Sequence, residues 1–130
     1  MEGRMALSNY LANELLDHVL LGATYTAPAD AYLALFTVLP DADNVGGTEV
    51  AGGSYARQAV TFSAAASGVS MNSAYVAFTA MPAATVVGTA LYDAVTAGNL
   101  LMYGPFSTAT VVQATADFNV PVGDVVAVFR

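Results

Sequence analysis

Cysteine, lysine and tryptophan are all absent from the 130 residues. Without cysteine there is neither a disulfide framework nor a thiolate metal centre, so apolar burial and contacts with other chains must hold the fold. Without lysine a nucleotide loop of the Walker type cannot be built, because its ammonium is what reaches the terminal phosphates. Positive charge is confined to Arg4, Arg57 and Arg130, against ten carboxylates, for a formal net charge of −7. Nucleic acid and anionic membrane surfaces both require clustered cations, so neither is an expected partner. No stretch approaches the ~20 apolar residues of a membrane span. The opening MEGRMALSNY also lacks the apolar run of a secretory leader, so a soluble domain is expected.

Charge of either sign is scarce. Charged residues make up 10% of the chain, where an ordinary soluble domain carries about 25%. Alanine, valine, serine, threonine and glycine fill the difference. A lone globule normally needs a charged coat to stay dispersed, which points to an outer surface covered by neighbouring subunits. The competing explanation is an alanine-rich composition whose small side chains leave a mildly apolar, harmless surface.

What is present reads as a single domain over residues 1–130: an N-terminal arm (1–7), a helix (8–21) and a β-domain (31–130). Leu7, Leu11, Leu15 and Val19 recur every four residues, with Ala12 and Leu16 widening the stripe, which predicts an amphipathic helix. Ser8 is the expected N-cap, Gly22 the expected left-handed end, and His18 sits in the last turn. Beyond Pro28 the period changes. AYLALFTV (31–38) predicts a buried strand, and residues 39–54 a long glycine-rich loop. Further strands are predicted over 55–62, 74–79, 85–93, 99–103, 108–120 and 124–129, with a hairpin turn around Gly98. About seven short strands after one helix predict a mainly β protein, an antiparallel β-sandwich or barrel-like domain.

The segment GGTEVAGGSYARQAV (46–60) poses the main chemical question. Its glycines come as the pairs Gly46-Gly47 and Gly52-Gly53 and lead into a strand, which fits neither GxxxxGK[ST] nor the strand–GxGxxG–helix fingerprint. Glycine's tolerance of positive φ makes these turns the expected reading. His18 is the one imidazole, and no GxSxG elbow presents a nucleophile, so no catalytic residues are assigned. Asp41, Asp43, Asn44 and Glu49 cluster in the loop. Counted as an EF-hand from Asp41, however, positions 5 and 12 are Val45 and Gly52, so no metal site and no cofactor is assigned. A glycosidase would need two facing acids in a sugar-sized cleft, and the lack of tryptophan speaks against one. The residues singled out for partner contact are Arg4 and Leu7 in the arm, Gly52 and Gly53 in the loop, and Tyr55 and Arg57 on the strand after it. Tyr32 and Tyr92 are expected in the core.

Taken together, LSNYLANELLDHVL, YLALFTVLPDAD, GGTEVAGGSYARQAV, LYDAVTAGNLLMYGPFS and VPVGDVVAVF resemble a family of small bacteriophage virion proteins, the tail-fibre-like or head-decoration proteins. The likeness runs from Ala6 to Phe129, and its most specific blocks are GTEV–GG–YARQAV and LYDA–GNLL–YG. Where that family tends toward a Phe-Asp pair after MPAATVVGTA, this chain has Leu91-Tyr92-Asp93. The resemblance implies a non-enzymatic structural role in the virion, after assembly in the cytoplasm of a bacterial host. A compact domain without repeats fits a capsid decoration (cement) protein better than a fibre stalk, with a tail-fibre-like or adaptor component as the alternative. The partners implied are the major capsid protein or other virion proteins, together with homo-oligomerisation, for which a trimer suits three-fold lattice points.

Overall fold

A computed structural model describes residues 3–129, and these form ten strands and one α-helix. In chain order they are β1 (Gly3–Leu7), α1 (Asn9–Leu16), β2 (Ala31–Val38), β3 (Thr48–Glu49), β4 (Gln58–Val60), β5 (Val69–Met71), β6 (Val76–Phe78), β7 (Ala84–Tyr92), β8 (Leu100–Val112), β9 (Phe118–Val120) and β10 (Val125–Val128). The protein is mainly β with one helix, as the strand spacing predicts. Eight strands make one sheet in the order β3-β2-β7-β8-β1-β10-β5, with β4 sharing the outer edge of β2, and the sheet does not close into a barrel. A separate pair, β6 and β9, contributes Val76, Phe78, Phe118 and Val120 to the core formed with β2, β7 and β8.

The sheet is centred where the sequence is most apolar. Leu33, Ala34, Leu35 and Phe36 are all buried, because successive side chains of β2 point to opposite faces and both faces are covered. Leu33 and Leu35 join the main core with Phe78, Met81 and Val86. Ala34 and Phe36 join a smaller cluster with Ala90, Tyr92 and Leu100. A stack of aromatic rings knits the main core: Tyr55 lies on Phe78 at 5.9 Å, Phe78 meets Phe118 edge-on at 6.4 Å, and Phe118 stacks on Phe106 at 6.0 Å.

Residues 3–7, read above as an arm, are a sheet strand; Met1 and Glu2 lie outside the described residues. β1 runs antiparallel to β8 through Ala6↔Tyr103 and parallel to β10 through Arg4↔Val126. The sheet is therefore mixed, since β1–β10 is a parallel pair within an otherwise antiparallel set. The helix starts where Ser8 predicts. The Ser8 hydroxyl accepts from Leu11 N–H at 3.1 Å and donates to the Leu100 carbonyl at 2.6 Å, capping α1 and fastening it to β8. The apolar stripe is only partly used. Leu7 belongs to β1, Leu11 is buried and Leu15 half-buried, while Val19 stands in solvent. Beyond Leu16 the helix widens into a π-helical turn, Asp17–Leu21, which Gly22 ends in the left-handed region at φ 71°.

Candidate functional site

Of the six residues expected to meet a partner, Gly52, Tyr55 and Arg57 come together in one cleft. It has a volume of about 390 Å³, with Glu49 on one wall and the 95–97 turn on another. Gly52 and Gly53 lie in an exposed turn at φ 101° and 56°, so the glycine segment is a connection and no phosphate cradle. Arg4 and Leu7 sit elsewhere on β1, three strands from β2. Arg4 borders a different cleft with Pro105, Phe106 and Ser107, and Leu7 packs against the main core.

The floor of the first cleft is an ion pair. Arg57 donates through Nε to Glu49 Oε2 at 3.0 Å and through Nη2 to Glu49 Oε1 at 2.9 Å, the two-pronged geometry that suits a guanidinium to a carboxylate. Its Nη1 donates to the carbonyls of Ala94 at 3.0 Å and Ala97 at 2.7 Å. The guanidinium carbon lies 3.8 Å from the centre of the Tyr92 ring. Tyr55 donates to Glu49 Oε2 at 2.6 Å and accepts from Leu35 N–H at 3.0 Å, and Tyr92 donates to Asn44 Oδ1 at 2.7 Å. One arginine thus ties β3, the 50–57 segment and the turn after β7 into a single rigid unit. Its side chain is only 9% exposed. Tyr55 and Arg57, expected at a partner surface, spend their polar atoms inside the domain, and what they offer outward is the fixed shape of the cleft.

Electrostatics follow from burial. Burial, and then the hydrogen bond to Glu49, push the Tyr55 phenol far above its ordinary value, against the opposing donation from Leu35 N–H. Burial also raises Tyr92, although Arg57 pulls it down. For Arg57, burial alone would lower the pKa, but the hydrogen bond and charge of Glu49 outweigh it and the net direction is up. A phenol whose folded-state pKa is raised stabilises the fold at every pH below the unfolded value of about 10. That contribution is lost as pH climbs from there toward the folded-state pKa. Tyr55→Phe is expected to cost about 1–3 kcal/mol at neutral pH, because Leu35 N–H loses its partner. The variant should also show a shallower loss of stability above pH ~10 than the parent chain. Urea titrations across that range, read by circular dichroism, check both; an unchanged alkaline slope would break the assignment.

The acidic loop serves structure. Asp41 Oδ1 accepts from the N–H groups of Asp43 and Val45, and Asp43 accepts from the Asn9 amide at 2.7 Å. Among the described residues, no three acidic or histidine side chains gather to hold a metal ion, and no buried side-chain nitrogen or oxygen lacks a hydrogen-bond partner. Sequence reading places Tyr92 in the core, where it is, but missed Glu49 as a member of the cleft and the Tyr92 ring as the support for Arg57. The available signal was the scarcity of cations: an arginine on a predicted half-buried strand needs a carboxylate, but spacing does not say which one.

No curated protein matches the chain. The family model that does match, described as podophage GP4 fiber I protein gp80, spans residues 6–127. Nearly the whole domain lies inside that match, including the Glu49–Arg57 cleft and every strand except the first residues of β1 and the last of β10. The resemblance drawn from the five sequence blocks is thereby borne out: the chain belongs to the podophage GP4 fiber I protein gp80 family, a family of bacteriophage virion structural proteins.

Proposed function

We propose that this chain is a fibre component of a podophage particle, a compact β-domain that joins or tips a fibre by fixed-shape contacts with other virion proteins. The observation that carries this reading is the match to a fibre protein family over residues 6–127. The cleft supports it, since its polar groups are spent on holding three segments rigid, which suits a docking surface better than a reactive centre. The sequence alone favours head decoration; the family's description moves the preference to the fibre alternative. A 130-residue domain without repeats cannot build a stalk, so a joint or tip is the fitting place within a fibre. The test is copy number and position in purified particles, by quantitative mass spectrometry and an electron-density map. A small set of copies on the tail is expected. Hundreds of copies over the head lattice would replace this reading with capsid decoration.

A further inference from the structure

Nine successive residues, 16–24, are exposed where α1 runs out past the domain. Among them Leu16, Val19, Leu20 and Leu21 are 56%, 74%, 72% and 77% exposed. Single leucines in water are ordinary, but four large apolar side chains on one protrusion mark an interaction site. Backbone geometry groups them. Gly22 N–H donates to the Asp17 carbonyl five residues back, and Ala23 N–H donates to the same oxygen at 3.1 Å. In this wider turn the fourth and fifth residues after Leu16, Leu20 and Leu21, fall on its side of the axis. His18 Nδ1, facing a carbonyl that can only accept, donates to Ala23 O at 2.8 Å and fixes the far end of the turn. The knob is therefore shaped in advance, with its apolar side chains uncovered.

Charge says what covers it. Asp17 is exposed beside the knob and Glu14 lies one turn earlier. The C-terminal carbonyls of α1 add the negative end of the helix dipole. All three favour a cation on the opposing surface. A second copy of this chain is poorly equipped to supply one, having no lysine and three arginines against ten carboxylates, with Arg57 committed to Glu49. We propose that the 16–21 knob inserts into an apolar groove, edged by lysine or arginine, on a different protein of the virion. That the partner is a virion protein rests on the fibre reading above; the basic-edged groove rests on the knob itself.

Photo-crosslinking tests the two separately. A benzophenone amino acid replacing Leu20 is carried into the phage, infected cells and purified particles are irradiated, and the joined peptides are sequenced by mass spectrometry. The expected adduct is to an apolar segment flanked by lysine or arginine in another virion protein. An adduct between two copies of this chain, an adduct to lipid, or no adduct in either sample would overturn the docking proposal. Absence of the chain from particles, with the same protein adduct still formed in cells, would remove the fibre reading and leave the groove standing. A second arm uses Leu20→Ser, whose exposed position predicts an unchanged thermal midpoint. Incorporation into particles should fall about tenfold, the usual effect of removing a central anchor. Val111→Ser, at an exposed apolar position on β8 (67%), should incorporate normally. Full incorporation of Leu20→Ser would also overturn the proposal.

Discussion

Gly104→Val is expected to leave the chain with no stable folded state, and Gly104→Ala, which already carries the colliding Cβ, to cost more than about 3 kcal/mol. Gly104 is the β8 residue next after the Ala6↔Tyr103 pair, where β1 crosses closest. A Cβ built there collides with the Arg4 carbonyl and comes within 3.2 Å of Met5 Cα. On the other flank of β8, a Cβ at Gly88 would stand 2.5 Å from the Gly104 carbonyl and 2.9 Å from Pro105 Cα. Backbone meets backbone on both sides, so no rotamer change relieves the overlap. β1 cannot move aside, because β10 pairs along its other edge through Gly3↔Val125 and Met5↔Ala127. Ordinary overpacking in a core costs about 1–3 kcal/mol. Displacing a strand paired on both edges exceeds that, and takes most of the roughly 5–15 kcal/mol that holds a domain of this size. Urea and thermal unfolding read the result directly. A Gly104→Val melt within a few degrees of the parent would mean that β1 does not lie where it is described.

The next largest effect is expected at Asn72. This side chain is fully buried, and all four of its hydrogen-bonding positions are used. Nδ2 donates to the carbonyls of Ala74 and Pro121, both at 2.9 Å, and Oδ1 accepts from Gly123 N–H and Val125 N–H, both at 2.9 Å. Two carbonyls on one side and two N–H groups on the other fix the orientation of the amide without ambiguity. The amide thus fastens the residues after β5 to the turn that leads into β10. Asn72→Ala removes four hydrogen bonds at once, takes from the buried Val125 N–H this partner and empties a fully buried site. It should cost about 2–4 kcal/mol, while Gly123 N–H keeps its bond to the backbone carbonyl of residue 72 at 3.2 Å. Asn72→Asp keeps the shape but loses both donors and sets a carboxylate oxygen against two carbonyls, so it should be no milder. The exposed Asn119 provides the contrast, where alanine should change stability by no more than about 0.5 kcal/mol. Chemical denaturation of the three variants gives the ranking, and equal midpoints for Asn72→Ala and Asn119→Ala would dissolve the argument.

How much of this was legible depends on whether a feature is local. β2 and β7 follow from apolar runs bounded by turn residues, the β7–β8 turn from Gly98, and the helix start from Ser8. Each needs only neighbours in sequence. β1 does not: GRMAL is short, and Leu7 falls in step with Leu11 and Leu15, so the helical period absorbed it. β8 was split because Gly104-Pro105 reads as a break. The strand carries through since its register against β7 shifts between Val86 and Gly88, and residues 106–109 bulge there. The cleft was half legible. Tyr55 and Arg57 stood out beside the glycine pairs, but Glu49 and the carbonyls of Ala94 and Ala97 reach them only through the packing of separate segments. Asn72 carried no signal, because its partners at Pro121, Gly123 and Val125 lie about fifty residues away. Of the knob, Leu16 and Val19 stand in the predicted amphipathic stripe while Leu20 and Leu21 fall outside it, and periodicity reports an amphipathic face without saying what faces it.

The parallel pairing of β1 with β10 also governs the order in which the molecule can be made. During translation the first strand leaves the ribosome before either neighbour exists: β8 is not made until residues 100–112 and β10 only at residues 125–128. Until Val125 to Val128 emerge, one edge of β1 remains an open template for any passing strand. A nascent chain paused before β10 should therefore bind holdase chaperones, and release from them should coincide with completion of that final strand.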